Sequence, residues 1–268
     1  MTIQSRNVTF ELDDELSQDW VAGNPVATAF FNAMSMTFPL GEKMFVDSVR
    51  HYIDDLEDPT LVAEARGFCA QEGVHRREHR RYNETLCKVR GYDLARMEDP
   101  FAKDLQFARK HLSPLQQLAG TAAIEHITAI MGESVLKDGT VFEDATPTLS
   151  KLWKWHGAEE LEHKSVAFDV FKAVGGTEKM LHVAMRRAMT LVLKNIIRMM
   201  LYMLRHNSTR TRLRDWREAW DILFARTGLS AEIRLRYREW FVPGYHPAQH
   251  DTTDLLAAWE ASYSEAAA

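Results

Sequence analysis

The chain has 268 residues, 46% hydrophobic and 26% charged, which suits one large domain of an ordinary globular protein. A formal net charge of −5 gives no reason to expect nucleic acid, even with basic residues gathered in 205–217 (RHNSTRTRLRDWR). Cys69 and Cys87 are too far apart for a zinc-ribbon or redox pair, and residues 1–16 (MTIQSRNVTFELDDEL) hold no apolar signal segment, so a reduced, cytoplasmic protein is expected.

Helical periodicity first appears at 41–57, after a charge-free run from Pro25 to Gly41, and resumes at 59–90. The connection from Gly91 to Ser113 is long and carries a short helix at 98–111. Further helices are predicted at 114–137, 148–173, 177–206, 208–227, 229–240 and 251–266. Breaks fall at Asp58-Pro59, Gly91, Ser113-Pro114, Gly139 to Pro147 and Gly175-Gly176. Almost no alternating β-branched run reads as a strand. The expectation is an all-α protein forming a single domain over 1–268. A four-helix bundle core spans 25–175, with one long crossover between its second and third helices, and additional helices of 176–268 pack on it. The most apolar run, 188–203 (AMTLVLKNIIRMMLYM), is interrupted by Lys194 and Arg198. These charges favour a packed helix over a membrane-surface helix and argue against a membrane span.

Carboxylates and imidazoles interrupt the apolar stripes of these helices. Glu42 lies on the face of Phe45, Val46, Val49 and Ile53, in what reads as the first turn of its helix, where an acidic residue is also favoured by the helix dipole. In 59–90 the stripe Leu61, Ala65, Phe68, Cys69 continues as Glu72, His75 and His79 before Leu86 resumes it. Arg76, Arg77, Arg80 and Arg81 point elsewhere, to solvent or to partner carboxylates. From Leu112 to Gly132 the only ionisable groups are Glu125 and His126, and the helical neighbours of Glu125 are small: Thr121, Ala122, Thr128 and Ala129. A bare buried carboxylate is costly, so Glu125 must be neutralised, paired or metal-bound. In 148–173, Leu149, Leu152 and Trp153 lead into His156, Glu160 and His163, followed by Ala167, Val170 and Phe171. Glu162 falls on the opposite side and is expected in solvent, whereas Glu159 borders the stripe.

Together these give Glu42, Glu72-x-x-His75, Glu125 and Glu160-x-x-His163: one glutamate from each of two helices and a Glu-x-x-His from each of two others. Two Glu-x-x-His motifs alone carry little weight, since this composition yields about one by chance. Their placement on buried faces carries the argument, because four carboxylates can offset two divalent cations while each imidazole fills a terminal position. The alternative is a set of buried ion pairs, with Arg50 or Arg90 as partners.

With these residues in hand, the chain resembles the di-iron carboxylate proteins of the ferritin-like superfamily. More closely, it is similar to a bacterial family of predicted metal-dependent hydrolases whose members carry comparable FPxGE, Glu-x-x-His and WHxxEExEHK segments. The matching stretches are Phe38–Glu42, Glu72–His79, Glu125-His126 and Trp155–Lys164, within about residues 25–205. The superfamily resemblance implies a ferritin-like four-helix bundle and two metal ions, Fe/Fe or Mn/Fe, held by Glu42, Glu72, His75, Glu125, Glu160 and His163. It also implies an oxidoreductase that activates O2 on a small or apolar organic substrate. The family's title implies instead a hydrolase with a two-metal-activated water, although no hydrolytic nucleophile motif is present. Iron oxidation without an organic substrate is the third expectation. His79 and His156 stand one turn from the expected ligands, as extra ligands, supporting groups or proton carriers. Glu159 and Gln71 precede the two motifs where a group that orients a ligand imidazole is expected. Phe30, Phe31, Met34, Met36, Phe45 and Phe68 supply either pocket lining or ordinary core. A homodimer is a further expectation, through an apolar helix such as 180–204.

Overall fold

The computed structural model of the chain describes residues 3–12, 14–137, 142, 144–206, 211–225 and 229–265. They form an all-α structure whose first long helix, α1, runs Pro25–Arg50. Its start lies well before residue 41. Asn24 caps it by accepting from the backbone amides of Val26 and Ala27. Pro39 sits inside the helix and removes the donor that would serve the carbonyl of Ser35. The side-chain amide of Asn83 donates to that carbonyl instead, at 2.9 Å. Glu42 therefore stands deep in α1, not in a first turn, and the dipole explanation for its position falls away.

Helix α2 (Pro59–Arg90) is capped by Asp58 and stopped by Gly91 in the left-handed region at φ +69. Helix α3 (Leu94–His111) starts earlier than residue 98, and α4 (Pro114–Leu136) opens with a Ser113–Gln116 capping box. The predicted helix 148–173 is two helices, α5 (Pro147–His163) and α6 (Val166–Ala173). At the break, Lys164 Nζ donates to the carbonyl of His250 at 2.5 Å and to Thr252 Oγ1 at 2.9 Å. Helix α7 is Glu178–His206, close to expectation. Of the predicted 208–227, the described part is α8 (Leu213–Trp220) followed by a π-helical turn, Asp221–Ala225. Helices α9 (Leu229–Glu239) and α10 (Thr253–Glu265) complete the fold. Residues 139–141 and 143 of the expected break from Gly139 to Pro147, and residues 207–210 and 226–228, lie outside the described residues.

Side-chain contacts fix the topology. Residues 32, 35 and 42 of α1 meet 82, 79 and 75 of α2, so the two helices are antiparallel. Residues 125 and 132 of α4 meet 163 and 157 of α5, again antiparallel. Ser48 of α1 meets Thr121 of α4, while Gln71 and His75 of α2 meet His163 and Glu159 of α5, so α2 and α5 are antiparallel as well. The second and third bundle helices, α2 and α4, therefore run parallel, and α3 lies in the crossover that this requires. Two apolar clusters enclose a polar layer. One gathers Trp20, Phe31, Met36, Leu86 and Trp153; the other gathers Phe45, Phe68, Leu118, Val170 and Phe171.

Two close approaches seal that layer. Gly132 of α4 and Gly157 of α5 bring the helix backbones together; a Cβ on Gly132 would stand 2.5 Å from the carbonyl oxygen of Gly157. An N-terminal arm, residues 3–12, crosses α2, with Ile3 filling the space over Gly67. Helix α7 packs on α1 and α4, and the apolar run 188–203 lies within it. There Lys194 is paired with Asp104 at 2.7 Å, and Arg198 donates to the carbonyl of Met97. Among the described residues, no helix is long and apolar enough to cross a membrane.

Candidate metal centre

Glu42 from α1, Glu72 and His75 from α2, Glu125 from α4, and Glu160 and His163 from α5 are all buried and converge on the polar layer. His163 Nε2 lies 3.1 Å from Glu125, 3.3 Å from Glu72 and 3.6 Å from Glu160. His75 Nδ1 lies 3.7 Å from Glu160 and 3.8 Å from Glu72. Three sets of donor atoms lie within 4.8 Å of one another: Glu42, His75 and His156; Glu72, His75 and Glu160; Glu72, Glu125 and His163. Neither Arg50 nor Arg90 joins them; Arg90 pairs with Asp19.

The hydrogen bonds test whether the cluster suits metal ions. Both carboxylate oxygens of Glu42, Glu72 and Glu125, together with Glu160 Oε2, His75 Nδ1 and His163 Nε2, are buried without a hydrogen-bond partner. Orphans of this kind are expensive singly and untenable in such number unless cations or protons fill the space among them. Protons do so in the metal-free cluster. Burial and the charges of Glu160 and Glu125 push the Glu42 carboxyl well above its ordinary range, and burial with the same neighbours does so for Glu72. Burial and Glu160 raise Glu125 to about 7. Burial opposes ionisation of His163 and of Glu160. The adjoining carboxylates of Glu125 and Glu160 nevertheless raise His163 to about 10, and the facing imidazoles of His156 and His163 hold Glu160 well below its usual range. The donor set, hard oxygens with borderline nitrogens, fits ions such as iron, manganese or zinc.

Each of the two motif imidazoles is held from the opposite helix. His75 Nε2 meets Glu159 Oε2 of α5 at 3.0 Å. The other oxygen of Glu159 accepts from Trp155 Nε1 at 3.1 Å and from Arg6, by backbone amide at 3.2 Å and Nη1 at 3.1 Å. His163 Nδ1 meets Gln71 Oε1 of α2 at 2.8 Å. The Gln71 amide is oriented by its Nε2, which donates to Glu162 at 2.6 Å and to the carbonyl of Gln4 at 3.2 Å. Both imidazoles therefore give their outer N–H to a partner and turn the inner nitrogen to the cluster. Glu162 is not in solvent, as its place on the helix suggested: Arg6 grips both its oxygens, at 2.6 and 3.0 Å, and Gln71 completes the contact. Arg6 left no trace in the periodicity, because it belongs to an arm that crosses the bundle.

His79 and His156 form a chain behind Glu160. Ser35 Oγ donates to Asn83 Oδ1 at 2.7 Å, so it accepts from His79 Nδ1 at 2.9 Å. Burial and the neighbouring His156 keep His79 neutral by lowering its pKa well below the ordinary value. Its Nε2 then accepts from His156 Nδ1 at 2.6 Å. That leaves the lone pair of His156 Nε2 facing Glu160 Oε1 at 2.9 Å, an opposition of two acceptors that a proton or a cation relieves. His156 also stacks on His75, with ring centres 4.1 Å apart. His126, next to Glu125, turns away and stacks on Trp240.

A cavity of about 30 Å³ adjoins His156 and Glu160, lined by Phe31, Met34, Phe38, Met131 and Trp153 among others. Phe31 and Met34 thus face it, whereas Met36, Phe45 and Phe68 are core.

These features define a class: an all-α protein whose buried carboxylate–imidazole cluster is suited to metal ions. Within that class, the chain belongs to the family of predicted metal-dependent hydrolases, which it matches over residues 4–251. The match takes in the N-terminal arm and most of the later helices, beyond the segments that carry the motifs. No curated protein and no solved structure matches the chain.

Proposed function

We propose that the protein is a dinuclear metalloenzyme that activates O2 to oxidise a small apolar substrate. Glu42, His75 and His156 would hold one ion and Glu72, Glu125 and His163 the other, with Glu72 and Glu160 within reach of both. Bound redox-active ions would supply the electrons that O2 activation requires, which favours Fe/Fe or Mn/Fe occupancy. The crossover between α2 and α4 and the paired Glu-x-x-His motifs support placement in the ferritin-like superfamily.

The observation that carries the oxidative reading is the cavity beside His156 and Glu160. At about 30 Å³ it has room for one or two water-sized molecules. Its walls are apolar apart from Thr128 and the donor residues themselves. A diatomic gas fits there, whereas a polar hydrolysable group would find little to hold it. In this reading Glu159 and Gln71 fix the two imidazoles, and His79 fixes the third. The apolar walls give bulk water little to bind, and the glycine pair keeps α4 and α5 close beside the cavity. The second reading, hydrolysis by a metal-activated water, is favoured by the family's description.

One experiment separates them. Protein loaded anaerobically with Fe(II) is exposed to O2 while oxygen uptake and the visible spectrum are followed, and Zn(II)-loaded protein is assayed on ester and phosphate substrates without O2. Oxygen consumption with a new absorption band is expected. Turnover by the zinc form, with an iron form inert to O2, would establish the hydrolytic reading instead.

A further inference from the structure

The start of α3 and the C-terminal half of α7 flank a second, open cavity of about 470 Å³ that the metal centre does not use. Arg96, Arg198, Arg205 and His206 line it, with Tyr202, Met97 and Met199, and no carboxylate is among the lining residues. None of the three arginines forms an ion pair among the described residues. The acidic side chains nearby are otherwise engaged. Asp93 caps α3 by accepting from the amide of Arg96 at 3.0 Å. Glu98 is paired with Arg80 at 2.9 Å, Asp99 with Lys103 at 2.5 Å, and Asp104 with Lys194 at 2.7 Å. Arg198 spends Nη2 on the carbonyl of Met97 at 2.7 Å, yet its Nε is buried without a partner. The guanidinium of Arg96 is placed over the Tyr202 ring, 5.5 Å from its centre, and His206 packs against Tyr92.

Like charges gathered around a cavity repel one another, and in a chain of net charge −5 there is no general excess of cations to explain them. A multiply charged anion removes the repulsion and satisfies the orphaned donor. Guanidinium groups recognise phosphate in particular, through paired N–H donors. The volume is that of a small-molecule site and exceeds what inorganic phosphate needs, leaving the half-buried Tyr202 ring to meet an organic portion.

We infer that this cavity binds a phosphate-bearing ligand, either a free phosphate ester or a phospholipid headgroup, with Arg96, Arg198 and Arg205 as its principal contacts. The inference stands apart from the metal centre and from the reaction proposed for it.

Calorimetric titration of the full chain with sodium pyrophosphate, at physiological ionic strength, tests the assignment. Saturable one-to-one binding is expected, weakened about tenfold or more in Arg205→Gln and in Arg96→Gln. Arg66→Gln, an exposed arginine elsewhere on α2, should leave it unchanged. Both test residues are exposed, so the variants should keep the wild-type melting temperature, which is measured alongside. Sedimentation with phosphatidylcholine vesicles, with and without phosphatidic acid, identifies the source. Phosphatidic acid-dependent binding that pyrophosphate competes away and Arg205→Gln abolishes assigns the headgroup; pyrophosphate binding without sedimentation assigns a free ester. Absence of both kinds of binding, or equal weakening by Arg66→Gln, overturns the proposal.

Discussion

The two halves of the metal centre have the same plan and different chemistry. On one side, His75 is held by a carboxylate, Glu159, itself fastened by Arg6 and Trp155. On the other, His163 is held by an amide, Gln71. The His75 side also gains a second imidazole, His156, and adjoins the small cavity; the His163 side has two carboxylates, Glu72 and Glu125, and no added histidine. A carboxylate partner makes an imidazole a stronger donor than an amide does. Two ions bound here would therefore be inequivalent, with the nitrogen-rich position next to the space where a small molecule fits.

The most drastic test of that comparison is to remove what the halves share. Glu72→Ala and Glu160→Ala are each expected to lower metal content from about two ions per chain to none or nearly none, by elemental analysis; retention of one full equivalent in both would show that the halves are independent. Next, Glu159→Ala should weaken one site by about 10- to 100-fold while sparing the other. Gln71→Ala should do the reverse with a smaller loss. Stepwise Co(II) titration followed by visible absorption reads the two sites separately, and an identical response to both variants would erase the distinction drawn here. A milder effect is expected from Ser35→Ala, which frees the tautomer of His79 and so loosens His156. Only the nitrogen-rich site should weaken, by about tenfold or less.

The smallest expected effect is on stability. Above pH 6.5 the raised carboxyls of Glu42, Glu72 and Glu125, the last at about 7, and His163 at about 10, all hold protons more tightly in the folded chain than in the unfolded one. Their contribution is fully present below the unfolded values and is lost as pH rises through the folded ones. The lowered His75 and His79 oppose the trend only near pH 6.5, where the unfolded imidazoles are still half protonated, and no longer above about pH 7.5. The melting temperature of metal-free protein should therefore fall between pH 6.5 and 8, and metal loading should flatten that fall. A flat profile in the metal-free form would mean that the cluster holds no such protons.

How much of this was legible beforehand depends on whether a residue's partners lie on its own helix. Glu125 stood out because its helix carries almost no other charge, and the Glu-x-x-His pairs did so because three-residue spacing keeps both groups on a buried face. The all-α class followed from periodicity for the same reason. The start of α1 was hidden by Pro39, since the Asn83 amide that compensates for it comes from another helix. The division between α5 and α6 was equally hidden, with Lys164 held by residues far along the chain. Glu162 was misplaced because its position relative to the apolar stripe says nothing of an arginine arriving from outside the bundle. The link between His79 and His156 likewise spans two helices, so spacing raised the question of their role without answering it.

The arm that carries Arg6 has a consequence for how the chain is made. Residues 3–12 leave the ribosome early, but Glu159 and Glu162, which Arg6 clasps, are synthesised some 150 positions later. Contacts so remote in sequence close late, after the loop entropy between them has been overcome. Until then Glu159 lacks its counter-charge and the flank of α2 at Gly67 stands uncovered. Docking of the arm therefore waits for the helix that also carries Glu160 and His163, so the strap and the cluster it covers are completed by the same stretch of chain.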